Sequence, residues 1–307
     1  MTKLKTITGV GQRLDIWLTT ELNLSRSLVQ KMIKRGEVLV NDSIVSAHRL
    51  IKADDKIKVI KLKVKPVKVK TEKIVLPKIE IIKETPDYIV LNKPAGLLMH
   101  GADNETRTSL TDWLIKYYPK ISKVGEDLNR PGIVHRLDKD VSGIVVVAKN
   151  QKSFDDLKKQ FKGRKVVKRY LALVYGADLP TEGEIRFRMG RSSKGYRMAA
   201  RPLNQTGKIA LTDFKVEHYY HNYALLSVTI KTGRTHQIRA HLAAYNHPVV
   251  GDDLYGTVRH KKLNAKLKLG RVFLVAAHLS FLDLDGERRE FSIDLPIGLK
   301  KVLGKIK

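Results

Sequence analysis

The segment Pro131-Gly132-Ile133-Val134-His135-Arg136-Leu137-Asp138-Lys139-Asp140-Val141-Ser142-Gly143 runs directly into Ile144-Val145-Val146-Val147-Ala148. A short, unbroken apolar run bounded by turn residues reads as a buried strand. The sequence therefore places one carboxylate, Asp138, in a Gly-flanked turn that enters such a strand, with cationic and polar neighbours on either side. The chain around it is strongly basic. It has 59 Lys+Arg against 31 Asp+Glu, a net charge of +28, and a field of that sign attracts nucleic-acid phosphates or anionic membrane surfaces. The charge is not confined to a tail. Residues 1–80 hold 18 Lys+Arg against 8 Asp+Glu, and the remainder holds 41 against 23. Both halves are thus expected to touch one polyanion. A loop carboxylate beside basic residues in such a chain points to chemistry on that polyanion.

At 307 residues the chain is expected to form two domains. No apolar stretch approaches the roughly 18 residues needed to span a bilayer, and Met1-Thr2-Lys3-Leu4-Lys5 leads into no apolar signal core. There are no cysteines. This excludes disulfides, cysteine nucleophiles and thiolate metal sites, and fits a reducing, cytoplasmic setting. No Gly-x-x-x-x-Gly-Lys-Ser/Thr phosphate loop is present, and Gly9-Val10-Gly11 lacks the rest of a dinucleotide fingerprint.

Residues 1–62 are expected to form a module of two short helices and a hairpin. Leu14, Ile16, Trp17 and Leu18 open the first helix. Ser25 or Ser27 caps the second, and Ser27 with Gln30 fits a capping box. Leu28 and Met32, with Val29 and Ile33, supply its buried face, and Gly36 ends it. Val38-Leu39-Val40 and Ile57-Lys58-Val59 are the strands, with a turn at Asn41-Asp42. The pattern Leu24-Ser25-Arg26-Ser27 … Ile33-Lys34-Arg35-Gly36-Glu37-Val38-Leu39-Val40-Asn41 resembles the small RNA-binding module named after a small-subunit ribosomal protein, the S-four type. That resemblance implies RNA phosphate contacts from Arg26, Lys31, Lys34 and Arg35, which add affinity and little sequence information. Residues 63–79 alternate Lys with apolar residues around Pro66 and Pro77 and are expected to be an extended, basic linker.

Residues 80–307 are expected to be strand-rich with a few helices. Leu110, Trp113, Leu114 and Tyr117 mark one helix. Phe154, Leu157 and Phe161 mark another, capped by Ser153. The motif around His135-Arg136-Leu137-Asp138 resembles the catalytic motif of the pseudouridine synthases, specifically the large-ribosomal-subunit type. Ile89-Val90-Leu91-Asn92-Lys93-Pro94-Ala95-Gly96 resembles that family's opening motif, where Lys93 and Pro94 are structural. Lys168-Arg169-Tyr170-Leu171-Ala172-Leu173-Val174 and Lys231-Thr232-Gly233-Arg234-Thr235-His236-Gln237-Ile238-Arg239 resemble two further motifs, and Asn246-His247-Pro248 to Gly256 a fourth. Val141 stands where the family usually has threonine, so that hydroxyl is missing.

The resemblance covers about residues 11–296 and implies an α+β chain, its catalytic domain built on a mainly antiparallel mixed sheet. It implies isomerisation of uridine in RNA to pseudouridine: the glycosidic bond to nitrogen breaks, the uracil turns, and a bond to carbon forms. In the implied roles Asp138 is nucleophile or charge stabiliser, Arg234 pairs with it, Tyr170 stacks on the uracil, and Arg136 fills the space left by a flipped-out base. Large-subunit ribosomal RNA is the favoured partner, with transfer RNA the alternative, and no obligate protein partner is evident. No cofactor and no metal is expected. The reaction is redox-neutral, and His236 and His241 are five apart rather than the four that aligns two ligands on one helical face. Three other classes are weaker. A charged structural protein would lack a strand-rich domain of about 200 residues with organised turns. A non-catalytic RNA-binding factor would not need the Asp138, Tyr170 and Arg234 set, and an RNA methyltransferase would need a Gly-rich cofactor loop.

Overall fold

The computed structural model describes the backbone of residues 2–3, 10–22, 24, 26–60, 76–101, 108–127, 129–192, 195, 197–306, with side chains of 2–3 and 26–28 left aside. Its contacts divide the chain into two compact units, Met1–Ile74 and Val75–Lys307. Most of the expected linker, residues 61–75, lies outside the described residues, as do Ser25 and the side chains of Arg26, Ser27 and Leu28.

The first unit contains β1 (Thr2–Lys3), α1 (Leu14–Leu22), α2 (Arg26–Lys34), β2 (Val38–Val40) and β3 (Ile57–Val59). The strands form an antiparallel sheet in the order β1-β3-β2. Leu14, Trp17 and Leu18 of α1 pack on Val29 and Ile33 of α2, which are fully buried, while Met32 is only partly covered. Position 29 and 33 are one turn apart and share a face. Gly36 adopts a positive φ of 72° at the end of α2, a conformation that costs glycine little. Asp55 ties the hairpin together. It accepts from both guanidinium ends of Arg49, from the Lys52 backbone N–H at 2.9 Å and from Asn41 at 3.0 Å.

The second unit runs β4 (Glu80–Glu84), β5 (Tyr88–Lys93), α3 (Leu110–Tyr117), β6 (Ser142–Ala148), α4 (Gln151–Lys162), β7 (Val167–Tyr175), β8 (Glu182–Arg191), β9 (Met198–Arg201), β10 (Lys208–Tyr220), β11 (Tyr223–Ile230), α5 (Gln237–Ala244), α6 (Val258–Leu267), β12 (Leu274–Leu282), β13 (Arg288–Ser292) and α7 (Ile297–Lys305). One ten-stranded sheet has the order β4-β5-β6-β12-β7-β11-β10-β8-β9, with β13 added on β12. Every pairing is antiparallel except β6 with β12. The chain is α+β.

The apolar run at 144–148 explains the layering. All seven residues of β6 are buried. Val145 and Val147 face a core shared with Leu110, Trp113 and Leu114 of α3 and Ile238 and Leu242 of α5. Ile144, Val146 and Ala148 face the other side, against Phe154 and Leu157 of α4. Side chains alternate across a strand, so only a strand covered on both faces keeps this run from water, at about 1.5–3 kcal/mol for each large side chain buried. α4 is capped by Asn150, whose side chain accepts from the Ser153 N–H at 2.9 Å; Ser153 itself is buried inside the helix rather than capping it. Gly143 has φ +127°, and a Cβ there would lie 2.3 Å from the Ala276 carbonyl oxygen. Only glycine lets β6 approach β12 this closely, immediately after the Asp138 loop. Among the described residues, no helix is long and apolar enough to cross a membrane.

Candidate active site

Asp138 sits in the loop before β6, its side chain 15% exposed. The loop is pinned from two directions. The Lys93 ammonium at the end of β5 is fully buried and donates to the carbonyls of Pro94 at 2.9 Å, Leu97 at 2.8 Å and Lys139 at 3.1 Å. Burial lowers its pKa to about 7, helped by Arg271 and opposed by Asp138 and Asp140. On the other side, the Val146 N–H donates to Nε2 of His135 at 3.0 Å, and the imidazole stacks on Phe161 with centroids 4.6 Å apart. Burial, followed by the charge of Lys168, pushes the His135 pKa down to about 3. His135 is therefore a neutral structural ring, with its proton on Nδ1.

Asp138 opens into a cleft of about 980 Å³, of a size that encloses a small ligand. Tyr170 of β7 lines it, opposite Ala276 of β12 and Val228 of β11 in the register. Its hydroxyl is held protonated. Burial raises its pKa first, and the negative charge of Asp138 adds to the effect. Arg130, Arg136, Lys158, Lys162 and Arg164 stand around the cleft, along with Lys168 and Arg234, whereas Asp138 is the one carboxylate among the described residues lining it. The sequence reading brought together Asp138, Tyr170, Arg136 and Arg234, and all four line this one cleft. It did not include the cations of α4 and the loop after it, whose spacing had marked only the helix's apolar face.

The expected charge pair between Arg234 and Asp138 is not formed. Arg239 makes it: its Nη1 lies 3.5 Å from the Asp138 carboxylate. The reason lies in local geometry. His236 takes a left-handed φ of 54° at the N-cap of α5 and turns the chain between the two arginines. Gln237, 3% exposed, then accepts from the Arg234 N–H at 3.1 Å and from the Thr232 hydroxyl at 2.7 Å. It donates to the Leu211 carbonyl at 2.9 Å and to Thr212 at 3.0 Å. This fixes the 232–236 turn onto β10.

Arg239 is itself held from behind by Asp252, which is fully buried. Nε and Nη2 of Arg239 donate to the two Asp252 oxygens at 2.7 and 2.9 Å, the bidentate geometry that aligns a guanidinium most strongly. Asp252 also accepts from the N–H groups of Leu254 and Tyr255 at 3.0 and 3.1 Å. The Tyr255 ring lies 5.3 Å from the guanidinium carbon and its hydroxyl is 3.1 Å from Nδ1 of His236. Burial opposes the charge on Arg239, but the Asp252 bonds and charge, together with Asp138, raise its pKa overall. Nε2 of His236 lies 3.9 Å from Asp138. Burial lowers the His236 pKa, with Asp138 acting in the opposite direction. Arg239, Asp252, Tyr255 and His236 were missed as a unit. The two arginines of one motif look alike in sequence, and Asp252 lies in a stretch read as scaffold and RNA surface.

In the first unit, Lys34 and Arg35 are exposed at the end of α2, and Arg35 lies 3.8 Å from Glu37. Lys31 is partly exposed. The side chain of Arg26 lies outside the described residues.

A mainly antiparallel sheet thus delivers one carboxylate and a clamped arginine into a basic, tyrosine-lined cleft. The profile of the RNA pseudouridylate synthase family matches residues 87–244, and that of the S4 domain matches residues 12–57. The chain belongs to the RNA pseudouridine synthase family. It is 32% identical over 303 residues to the uncharacterized RNA pseudouridine synthase YlyB of Bacillus subtilis (strain 168), covering 97% of this chain and 95% of that one. It is 34% identical over 307 residues to the ribosomal large subunit pseudouridine synthase D of Buchnera aphidicola, covering 96% and 95%. Among solved structures it is similar to human RNA pseudouridylate synthase domain containing 1, with a TM-score of 0.58 and 28% identity over 72% of this chain and 87% of that one.

Proposed function

We propose that this enzyme isomerises a uridine of large-subunit ribosomal RNA, flipped out of its stack into the cleft beside Asp138. The observation that carries the reading is the one carboxylate among the described residues lining the cleft, paired with a buried arginine, in a cleft whose other charged side chains are cations and which Tyr170 also lines. A stacked base cannot reach such a recessed group without extrusion. Asp138 acts as nucleophile or charge stabiliser as the bond from uracil N1 to the ribose breaks. The uracil turns, its C5 bonds the same sugar carbon, the C5 proton is lost, and N1 regains a proton. No electrons enter or leave. Arg239, 3.5 Å from Asp138, orients its carboxylate, taking the role first expected of Arg234, and Tyr170 offers its face to the uracil. Arg136, exposed beside the catalytic residue, occupies the position vacated in the RNA stack.

The choice of large-subunit ribosomal RNA rests on two relatives named for it, from Buchnera aphidicola and Neisseria meningitidis. The first-unit cations Arg26, Lys31, Lys34 and Arg35 add sequence-independent phosphate contacts. Mapping pseudouridine across cellular RNA with and without the protein tests this. Loss of one or a few sites in large-subunit ribosomal RNA is expected. Loss confined to transfer RNA would refute the choice of substrate while leaving the chemistry intact.

A further inference from the structure

Among the described residues, two half-buried cations on the wall of the cleft have no carboxylate partner. Lys168 of β7 is half-buried, and burial alone lowers its pKa. Among the described residues its ammonium meets no carboxylate and no hydrogen-bond acceptor, and lies only over the Phe161 ring, 5.5 Å from its centroid. Arg234 is half-buried too, and its Nε is enclosed with no partner. Both line the cleft, and Lys168 reaches the residue before Arg234: a Cβ built on Gly233 would meet the Lys168 Nζ at 3.9 Å. Withdrawing cations from water without pairing them is costly. Elsewhere in this fold comparable groups are satisfied, Arg239 by Asp252 and Lys93 by three carbonyls. The exception falls in the cleft that takes the substrate, beside a turn held rigid by Gln237.

We propose that Lys168 and Arg234 form a seat for one backbone phosphate next to the flipped uridine. The proposal rests on the reading of the Asp138 cleft as the uridine pocket. A phosphate fits where a uracil carbonyl does not, because two desolvated positive charges call for a full negative charge and for acceptors directed at both a guanidinium fork and an ammonium. The seat fixes the ribose next to Asp138 through its own phosphate. It thereby gives Arg234 a part in the reaction without any contact to the catalytic carboxylate.

The test uses the full chain and a stem-loop RNA spanning the uridine found by mapping, made with a single uncharged methylphosphonate linkage on the 5′ or the 3′ side of that uridine. Binding is measured in an Asp138→Asn background, so that turnover does not intervene. Neutralising one of the two linkages is expected to weaken binding by about tenfold, the size of a lost charge-assisted contact. In protein that also carries Lys168→Met and Arg234→Met, the same neutralisation is expected to cost less than twofold. Lys168→Arg and Arg234→Lys, which keep the charges, are expected to retain the sensitivity, so a folding defect cannot imitate the result. A double variant that still loses about tenfold on neutralisation of either linkage would overturn the seat, and equal sensitivity at neither linkage in the parent would do the same. The pocket reading fails separately, if Asp138→Asn enzyme still releases tritium from RNA labelled at uracil C5.

Discussion

Replacing Asp252 by Asn probes how the Asp138 carboxylate is controlled from a residue that does not meet it. One oxygen of Asp252 accepts from Nη2 of Arg239 and from the N–H groups of Leu254 and Tyr255. The other accepts from Nε of Arg239 at 2.7 Å. An amide oriented to keep the first three bonds points its NH2 at the Nε donor, and two donors cannot share that separation. Flipping the amide loses the other three. In either orientation Arg239, 5% exposed, loses its nearest counter-charge. Breaking a buried pair from one side costs about 3–5 kcal/mol. Asp138 at 3.5 Å remains as a partial partner, so the lower end, about 3 kcal/mol, is expected. For a unit of this size that lowers Tm by roughly 6–12 °C. The guanidinium also loses its alignment, and misplacement on the order of 1 Å costs about a hundredfold in rate. Calorimetry and tritium release from uracil C5 of a large-subunit ribosomal RNA transcript measure the two effects. A variant that melts within 2 °C of the parent, as read against the roughly 2–4 °C per kcal/mol scale, and turns over at the parent rate would refute the positioning role of Asp252.

Two further outcomes follow from other parts of the fold. Asp55 has its pKa lowered to about 2, first by the Arg49 hydrogen bonds, with burial opposing. A depressed carboxyl contributes stability above its unfolded pKa and loses it as pH falls through the folded one. The first unit is therefore expected to lose stability between about pH 4 and pH 2, and Asp55→Asn to flatten that slope in acid unfolding followed by Trp17 fluorescence. Gly143→Ala is expected to destabilise the second unit by about 3 kcal/mol or more, through overpacking against the Ala276 backbone and a φ disfavoured for alanine; urea unfolding with an unchanged midpoint would contradict this.

Much of the site was legible because it lies in contiguous stretches. The apolar run 144–148 announced a strand covered on both faces, and the turn before it carried Asp138. Tyr170 fell on a strand whose register sets it between β11 and β12. Two things depended on information that local sequence does not hold. Which of Arg234 and Arg239 reaches Asp138 is decided by the left-handed turn at His236 and by a partner, Asp252, thirteen residues further on. The parallel pairing of β6 with β12 joins Ser142 to Val275, a contact that no local pattern encodes. On α2, helical spacing placed Val29, Met32 and Ile33 on the buried face; the packing buries Val29 and Ile33 fully and leaves Met32 only partly covered. Val141, where the family usually has threonine, is 2% exposed within the main core, so its methyl groups pack at this position without any polar partner to satisfy.

The assignment of Asp138 as the group that drives the isomerisation has the most direct test. Asp138→Asn keeps the shape of the side chain and removes its charge, leaving the cations of the cleft in place. Release of tritium from uracil C5 is expected to fall to background, while RNA binding, measured by filter retention across a salt series, stays within a few-fold of the parent because the phosphate contacts are untouched. An Asp138→Asn enzyme that still forms pseudouridine at more than a trace of the parent rate would contradict the assignment.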